Sequence, residues 1–262
     1  MLLHGFFPME VRVASEVRAA IAAGFEVDVI ALRGDGEDGA GSALGARYFR
    51  LPVDHVHGAG AGSMAKEYLG FTALATLKAA RLALRRRYDV VQVHNPPDFL
   101  VVGALVPRLL GARIVFDVHD LASDMFHMRF EGKPGAGLAD RVLRGLERLA
   151  AGLSKAVITV HEPYRRELIA RGVDAAKVVV VMNSLDEVAL PPPLEHAPAN
   201  GFVVSYHGTI TPHYGVPLIV EAAAQALPSI PDLEVRIYGE GDALPDVLAR
   251  AAELGLEDRV WV

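Results

Sequence analysis

Cysteine is absent from the 262-residue sequence, and that absence excludes disulfide frameworks, thiolate catalysis and cysteine-ligated zinc. It fits a reducing, cytoplasmic setting. Long apolar runs are missing too: charges interrupt each stretch before the roughly 18 residues that a membrane span requires. Met1-Leu2-Leu3 passes at once into His4 and Gly5, then Glu10 and Arg12, so no signal peptide is expected. A net charge of −6 and a pI near 5.9 give no global reason to expect nucleic-acid binding. Neither a Gly-x4-Gly-Lys-Ser/Thr phosphate loop nor a Gly-x-Ser-x-Gly nucleophile elbow occurs.

What is present is a chain that is 52% hydrophobic and long enough for one large or two medium domains. Short Val/Ile-rich runs predict strands over Val27–Leu32, Tyr48–Pro52, Val90–His94, Arg113–Val118, Ala156–Val160 and Val178–Met182. Between them, amphipathic stretches predict helices over Val11–Ala23, Met64–Arg87, Phe99–Leu110, Leu138–Leu153 and Pro163–Arg171. Met1–His4 reads as a poor stub of a first strand. Continuous apolar strands separated by helices imply a parallel sheet covered on both faces, an α/β doubly wound pattern. Prolines 191 to 193 and Pro198 interrupt the alternation. The chain therefore divides into an N-terminal domain (1–188), a Pro-rich linker (189–200) and a C-terminal segment (201–262). The last of these reads as strand Phe202–His207, helix Val216–Leu227, strand Glu234–Tyr238, helix Leu244–Leu254 and strand Arg259–Val262. Its final strand has no following helix to cover it, so a shortened second domain is expected. The glycine-rich stretches Gly34–Ala46 and Asp54–Ser63 read as mobile loops.

Ligands of parallel α/β sheets collect at the carboxyl ends of strands. His94 and Asn95 fall there on one strand, and His119 and Asp120 on the next. The plainer alternative is that Asn95 caps a helix that opens with proline and that His119 is a polar strand end. Asp117, His119 and Asp120, or His55 and His57, have metal-ligating side chains. They lack third and fourth partners at usable spacing, and no metal is expected. Asp117 and His119 should share a strand face while Asp120 points away. In the C-terminal segment, Gly208-Thr209 and a helix starting near Gly215 offer backbone N–H groups to a phosphate. Gly239-Glu240-Gly241 begins a dinucleotide fingerprint that fails at Leu244. Lys66, Lys78, Arg81 and Arg85–Arg87 make Met64–Arg87 basic. Such a helix either lies on anionic lipid or is a solvated face.

In order and spacing these segments resemble glycosyltransferase family 4, also called group 1, which has the two-domain GT-B fold. The resemblance rests on Pro8-Met9-Glu10-Val11-Arg12 with Ala22–Val27, on Tyr88–Phe99, on Asp117-Val118-His119-Asp120-Leu121 and on Val178–Ser184. Gly208–Gly215 and Val235–Gly241 are similar to the start of the family's donor domain. The resemblance implies a complete N-terminal Rossmann-like domain plus a partial second one. It also implies transfer of a sugar from a nucleotide-diphosphate sugar to a glycan or lipid-linked acceptor, with retained anomeric configuration. No further cofactor or metal is implied. His119 would line the cleft near the transferred sugar. His4 and Gly5 would form the first strand-to-helix loop, on the acceptor side with His94, Asn95 and Asp120. Gly208, Thr209, His213 and Gly239 would meet the donor.

Two departures stand out. The family's Gly-Arg and Lys-Gly are here Gly208-Thr209 and Tyr214-Gly215, so two diphosphate-binding cations are missing. His213 replaces them only when protonated. The Glu-x7-Glu segment that holds donor sugar and ribose would lie beyond Val262. A non-catalytic sugar-nucleotide or glycan-binding relative is the alternative these departures favour. A sugar-nucleotide 2-epimerase shares the fold but also needs the complete second domain.

Overall fold

The Val/Ile-rich runs become strands of parallel sheets, and the amphipathic stretches become their covering helices. The computed structural model describes residues 1–54, 61–130, 136–184 and 201–262. The chain forms two compact units, Met1–Leu190 and Pro191–Val262. The proline-rich stretch at 189–200, His55 and His57 lie outside the described residues.

The first unit contains strands β1 (Leu2–Phe6), β2 (Asp28–Leu32), β3 (Ala40–Ala43), β4 (Ala46–Leu51), β5 (Val90–His94), β6 (Arg113–Val118), β7 (Ala156–Thr159) and β8 (Val178–Val180). They form one eight-stranded sheet in the order β3-β4-β2-β1-β5-β6-β7-β8. All neighbours are parallel except β3 and β4. Its helices are α1 (Val11–Ala22), α2 (Ala61–Ala83), α3 (Leu105–Leu109), α4 (Ala122–Phe130), α5 (Ala136–Leu153) and α6 (Glu162–Ala170). The winding direction reverses between β1 and β5, which makes their carboxyl ends the topological switch point.

Local chemistry sets these boundaries. α1 buries Val13, Ala14 and Val17 on one stripe. It closes where Gly24 adopts φ +87° and Phe25 N–H donates to the Ala20 carbonyl at 3.0 Å, a left-handed cap that glycine accepts without a Cβ clash. α6 starts where His161 Nδ1 accepts from Tyr164 N–H at 3.2 Å. Phe71, Leu100, Ile114 and Phe116 are fully buried between sheet and helices. Each such side chain contributes about 1.5–3 kcal/mol relative to exposure.

Four sequence expectations need correction. Met1–His4 is no stub: β1 runs to Phe6 and is central, pairing Leu2 with both Ile30 and Val93. His4 and Gly5 break its hydropathy, and the tertiary pairing overrides that break. Four residues of the presumed mobile loop at Gly34–Ala46 are the antiparallel edge strand β3, turned by Leu44 (φ +54°) and Gly45 (φ +80°), the paired positive φ of a tight hairpin. The helix expected over Phe99–Leu110 begins as a 3-10 helix at Asp98–Ala104. The helix expected over Met64–Arg87 starts at Ala61 and ends at Ala83, leaving Arg85–Arg87 outside it.

The second unit contains β9 (Phe202–His207), α7 (Val216–Ala226), β10 (Leu233–Tyr238), α8 (Leu244–Glu253) and β11 (Val260–Trp261). Its three strands are parallel in the order β11-β10-β9. Ile210, Val216, Val220, Val235, Ile237 and Val247 form its core.

Candidate functional site

Parallel register assembles the site. β5 and β6 pair His94 with Asp117, and β1 and β5 pair Leu3 with His94. His119 follows Asp117 by two residues, and side chains two apart along extended chain share a face. His94, Asp117 and His119 therefore meet, and all three are buried. His94 Nδ1 lies 3.1 Å from His119 Nε2 and 3.2 Å from Asp117 Oδ2, and His119 Nε2 lies 3.6 Å from the same oxygen.

The network continues toward α1. Gln92 Nε2 donates to Asp117 Oδ2 and to Glu16 Oε2, each at 2.9 Å. Burial and the adjacent Asp117 push the Glu16 carboxyl up to about 8. Burial alone would raise Asp117, but the adjacent imidazoles of His119 and His94 hold it well below the carboxylate range. Burial lowers His94, and Asp117 opposes that shift only in part. The geometry thus keeps one carboxylate charged beside two imidazoles, with a second, proton-holding carboxyl at the rear. One ligand atom from each of His94, Asp117 and His119 lies within 4.8 Å of the others. This corrects the expectation that Asp117 and His119 lack a third partner: the partner is His94, from another strand, and not Asp120.

Asn95 braces the strand ends. Its Oδ1 accepts from His119 N–H at 2.7 Å and Asp120 N–H at 3.4 Å. Its Nδ2 donates to the Asp120 carbonyl at 2.7 Å and to Asp98 Oδ1 at 2.8 Å. The helix that follows has Pro97 as its N-cap residue, with no side-chain cap, so Asn95 is a bracket between two loops and not a cap. Burial pushes Asp98 up to about 7 despite the Asn95 hydrogen bond.

His4 and Gly5 lie inside β1, and the strand-to-helix loop is residues 7–10. The reason is the extended register to Leu32 through Phe6. The His4 side chain turns to α2, with Nε2 3.0 Å from Glu67 Oε1 and its ring edge-on to Tyr68 and Phe71.

Residues to which the sequence assigned no site role stand around a cavity of about 500 Å³ lined by Arg12, Ser15, Glu16 and Asn183. Arg12 Nε and Nη1 and Ser15 Oγ are buried there without a hydrogen-bond partner among the described residues. Their i, i+3 spacing on α1 was visible, but nothing in the sequence showed that α1 buries a cation.

The glycosyl transferase 4-like domain model matches residues 9–184. The chain belongs to that family. No curated protein sequence matches it. Among solved structures, sucrose-phosphate synthase from Thermosynechococcus elongatus is similar at a TM-score of 0.72 and 18% identity, over 97% of this chain and 64% of that one. The catalytic domain of Arabidopsis thaliana starch synthase IV, bound to ADP and acarbose, gives 0.68 at 16% identity over 99% and 72%. Anabaena HepE in complex with UDP and glucose gives 0.65 at 16% identity over 99% and 67%. The fold is that of the GT-B glycosyltransferases. The chain spans about two-thirds of the length of these proteins.

For this glycosyl transferase 4-like chain, the second unit places the expected donor residues on backbone turns. Gly208 has φ +139° and donates to the Tyr238 carbonyl at 3.0 Å. The Thr209 carbonyl accepts from Tyr206 Oη at 2.9 Å. A Cβ on Gly239 would stand 1.9 Å from the Gly208 carbonyl oxygen, so these two glycines belong to one close backbone contact. His213 lies in the 3-10 turn Pro212–Tyr214; its side chain is outside the described residues. Tyr214 is exposed.

Proposed function

We propose that this chain carries the acceptor half and part of the donor half of a retaining glycosyltransferase using a nucleotide-diphosphate sugar. The bond from the sugar's anomeric carbon to the diphosphate breaks, and a bond from that carbon to an acceptor hydroxyl oxygen forms on the same face. The hydroxyl proton passes to the departing diphosphate. The observation that carries this reading is the buried His94–Asp117–His119 group at the topological switch point of a family sheet. His119 is its outermost member and contacts the transferred sugar. Asp117 and Asn95 position it through its ring and its N–H. Preorganised groups of this kind act by positioning and electrostatic stabilisation. The partner-free Arg12 nitrogens supply an anion-binding cation on the first unit, and no metal is required. Nucleotide ligands in HepE and starch synthase IV support a UDP- or ADP-linked donor.

We also assign α2 and the residues just after it a contact with an anionic membrane surface, consistent with surface-polysaccharide or glycolipid assembly on the cytoplasmic side. Leu69, Leu74, Leu77 and Leu84 are exposed among Lys66, Arg81 and Arg85. Two cations of the segment are engaged elsewhere: Lys78 lies 3.9 Å over the Phe49 ring, and Arg86 pairs with Glu26 at 3.2 Å. No described helix is long and apolar enough to cross a membrane.

The experiment is calorimetric titration with UDP-, GDP- and ADP-sugars. Saturable binding of one nucleotide supports the enzyme reading and names the donor. No binding to a cooperatively folded sample means that this chain alone is not the enzyme and leaves a glycan-binding relative, whose support is Thr209 and Tyr214 at the family's Arg and Lys positions. Where turnover is measurable, His119→Ala should lower kcat by about 100-fold or more; unchanged turnover removes His119 from the site.

A further inference from the structure

A second cavity, of about 130 Å³, opens beside the same strand ends. Its wall is apolar: Met64, Tyr68, Pro97, Met125, Phe126 and Leu146 contribute to it. The volume is close to the roughly 150 Å³ of a cavity that accepts benzene. Methionine thioethers adapt to irregular hydrocarbon shapes, and two of them line this space. The wall also contains one carboxyl, Asp98, whose residue is 3% exposed and whose Oδ2 is buried with no hydrogen-bond partner among the described residues. A buried polar atom left alone is costly, and a ligand hydroxyl donating to it, or a ligand oxygen accepting from its protonated form, would satisfy it.

Chain connectivity ties this cavity to the transfer site. Pro96–Asp98 directly follow His94 and Asn95, and Ala122, also in the wall, follows His119 by three residues. α2, which supplies Met64 and Tyr68, is the helix whose later turns expose Leu69, Leu74 and Leu77 between Lys66 and Arg81. One helix thus lines the cavity and presents an apolar, cationic outer face.

We infer that this cavity is an acceptor subsite that takes the first hydrocarbon unit of a lipid-linked acceptor, where the chain leaves its polar head. This rests on the glycosyltransferase reading for the identity of the head group, and not for the existence of the subsite. Asp98 meets the first polar atom of the head, and the rest of the chain runs out toward α2. Glycan acceptors without a hydrocarbon part leave the cavity unfilled.

The test uses the full chain with its six methionines carrying 13C-methyl labels, assigned by Met64→Leu and Met125→Leu. Geranyl monophosphate is titrated, with inorganic phosphate and phenyl phosphate as comparison arms. The expected result is a saturable shift of the Met64 and Met125 methyls with geranyl monophosphate, no shift of Met9, and no response to inorganic phosphate. Phenyl phosphate should bind about tenfold more weakly, because fewer carbons leave water. Ala122→Phe, which fills the cavity from a half-exposed helix start, should weaken the response at least tenfold while melting within a few degrees of the parent. The milder Ala122→Leu should fall between the two. Equal affinity for phenyl phosphate, an unaltered response in Ala122→Phe, or no saturable shift in the parent each overturn the assignment. A nucleotide-sugar titration of the same sample separates the two ideas. Nucleotide binding without a geranyl response removes the subsite and leaves the transferase reading. The converse keeps an apolar subsite and removes that reading.

Discussion

The two units bury different kinds of side chain. Every buried polar or charged residue among those described, including Asp28, His94, Asn95, Asp98, Asp117, Glu147 and Arg171, lies in the first unit. In the second, the buried side chains are apolar, and its loops meet through backbone. A Cβ on Gly239 would stand 1.9 Å from the Gly208 carbonyl oxygen, and one on Gly241 would stand 2.1 Å from that of Ile210. A sheet edge that holds chemistry in side chains must satisfy those groups with one another. A sheet edge that offers only N–H groups needs the absence of side chains. The first kind is therefore sensitive to losing a partner and the second to gaining an atom.

The largest effect is expected at Arg171. Its guanidinium serves Asp124 at 2.6 Å, Glu167 at 2.8 Å and Glu147 at 3.1 Å, joining α4, α5 and α6. Arg171→Met leaves Glu147 buried and uncompensated and should cost about 3–5 kcal/mol in urea unfolding. A cost below about 1 kcal/mol would erase the contrast between the units.

Gly239→Ala comes next, with a loss of about 3 kcal/mol from overpacking. Hydrogen exchange should place the loss in β9 and β10 while β5 and β6 keep their protection. Equal loosening of both sets would show that the backbone contact is not a local property of the second unit.

A smaller effect separates the units by pH. Glu16 is pushed up to about 8 from an ordinary 4.5, so the folded chain keeps a proton that the unfolded chain releases. Its contribution is full below about 4.5 and is lost as pH rises to about 8. His94 has the opposite sign: its value is lowered from 6.5, so its contribution is present above that pH and lost as pH falls toward the folded value. Asp98, pushed up to about 7 by burial, adds a falling slope of its own, so Glu16→Gln should reduce the falling slope without abolishing it and leave the His94 slope, read from unfolding free energies across that range. Identical slopes in parent and variant would contradict the assignment. Among the described residues the second unit has no buried titratable group and should show little such dependence.

The smallest effect is at the surface. Arg86 and Glu26 pair at 3.2 Å with side chains 45% and 89% exposed. Arg86→Ala should change stability by about 0.5 kcal/mol or less, and a larger change would mean that the pair does more than a solvated contact.

The strands β5, β6 and β9 were legible from the sequence to the residue, because Val/Ile runs between polar breaks have only one way to bury themselves. β3 was not: Ala40-Gly41-Ser42-Ala43 has no hydropathic signal, and its pairing is supplied by β4 and a left-handed turn. β1 was half hidden because His4 and Gly5 read as a loop, although β2 and β5 hold them in register. His94 and His119 could be named from their place at strand ends. Asn95 could be named too, but its role as a bracket depends on where the loop after β6 passes.

By itself, then, the sequence determined the alternation of strand and helix and the strand ends where polar residues collect. Those are properties of spacing and side-chain type within a few residues. Only the tertiary structure decided that His94 joins Asp117 and His119, that Gln92 hands the network to Glu16, and that Arg12 has buried nitrogens without a partner among the described residues. These contacts connect residues from tens of positions apart. Parallel register and helix packing fix them, and no local pattern in the chain encodes either.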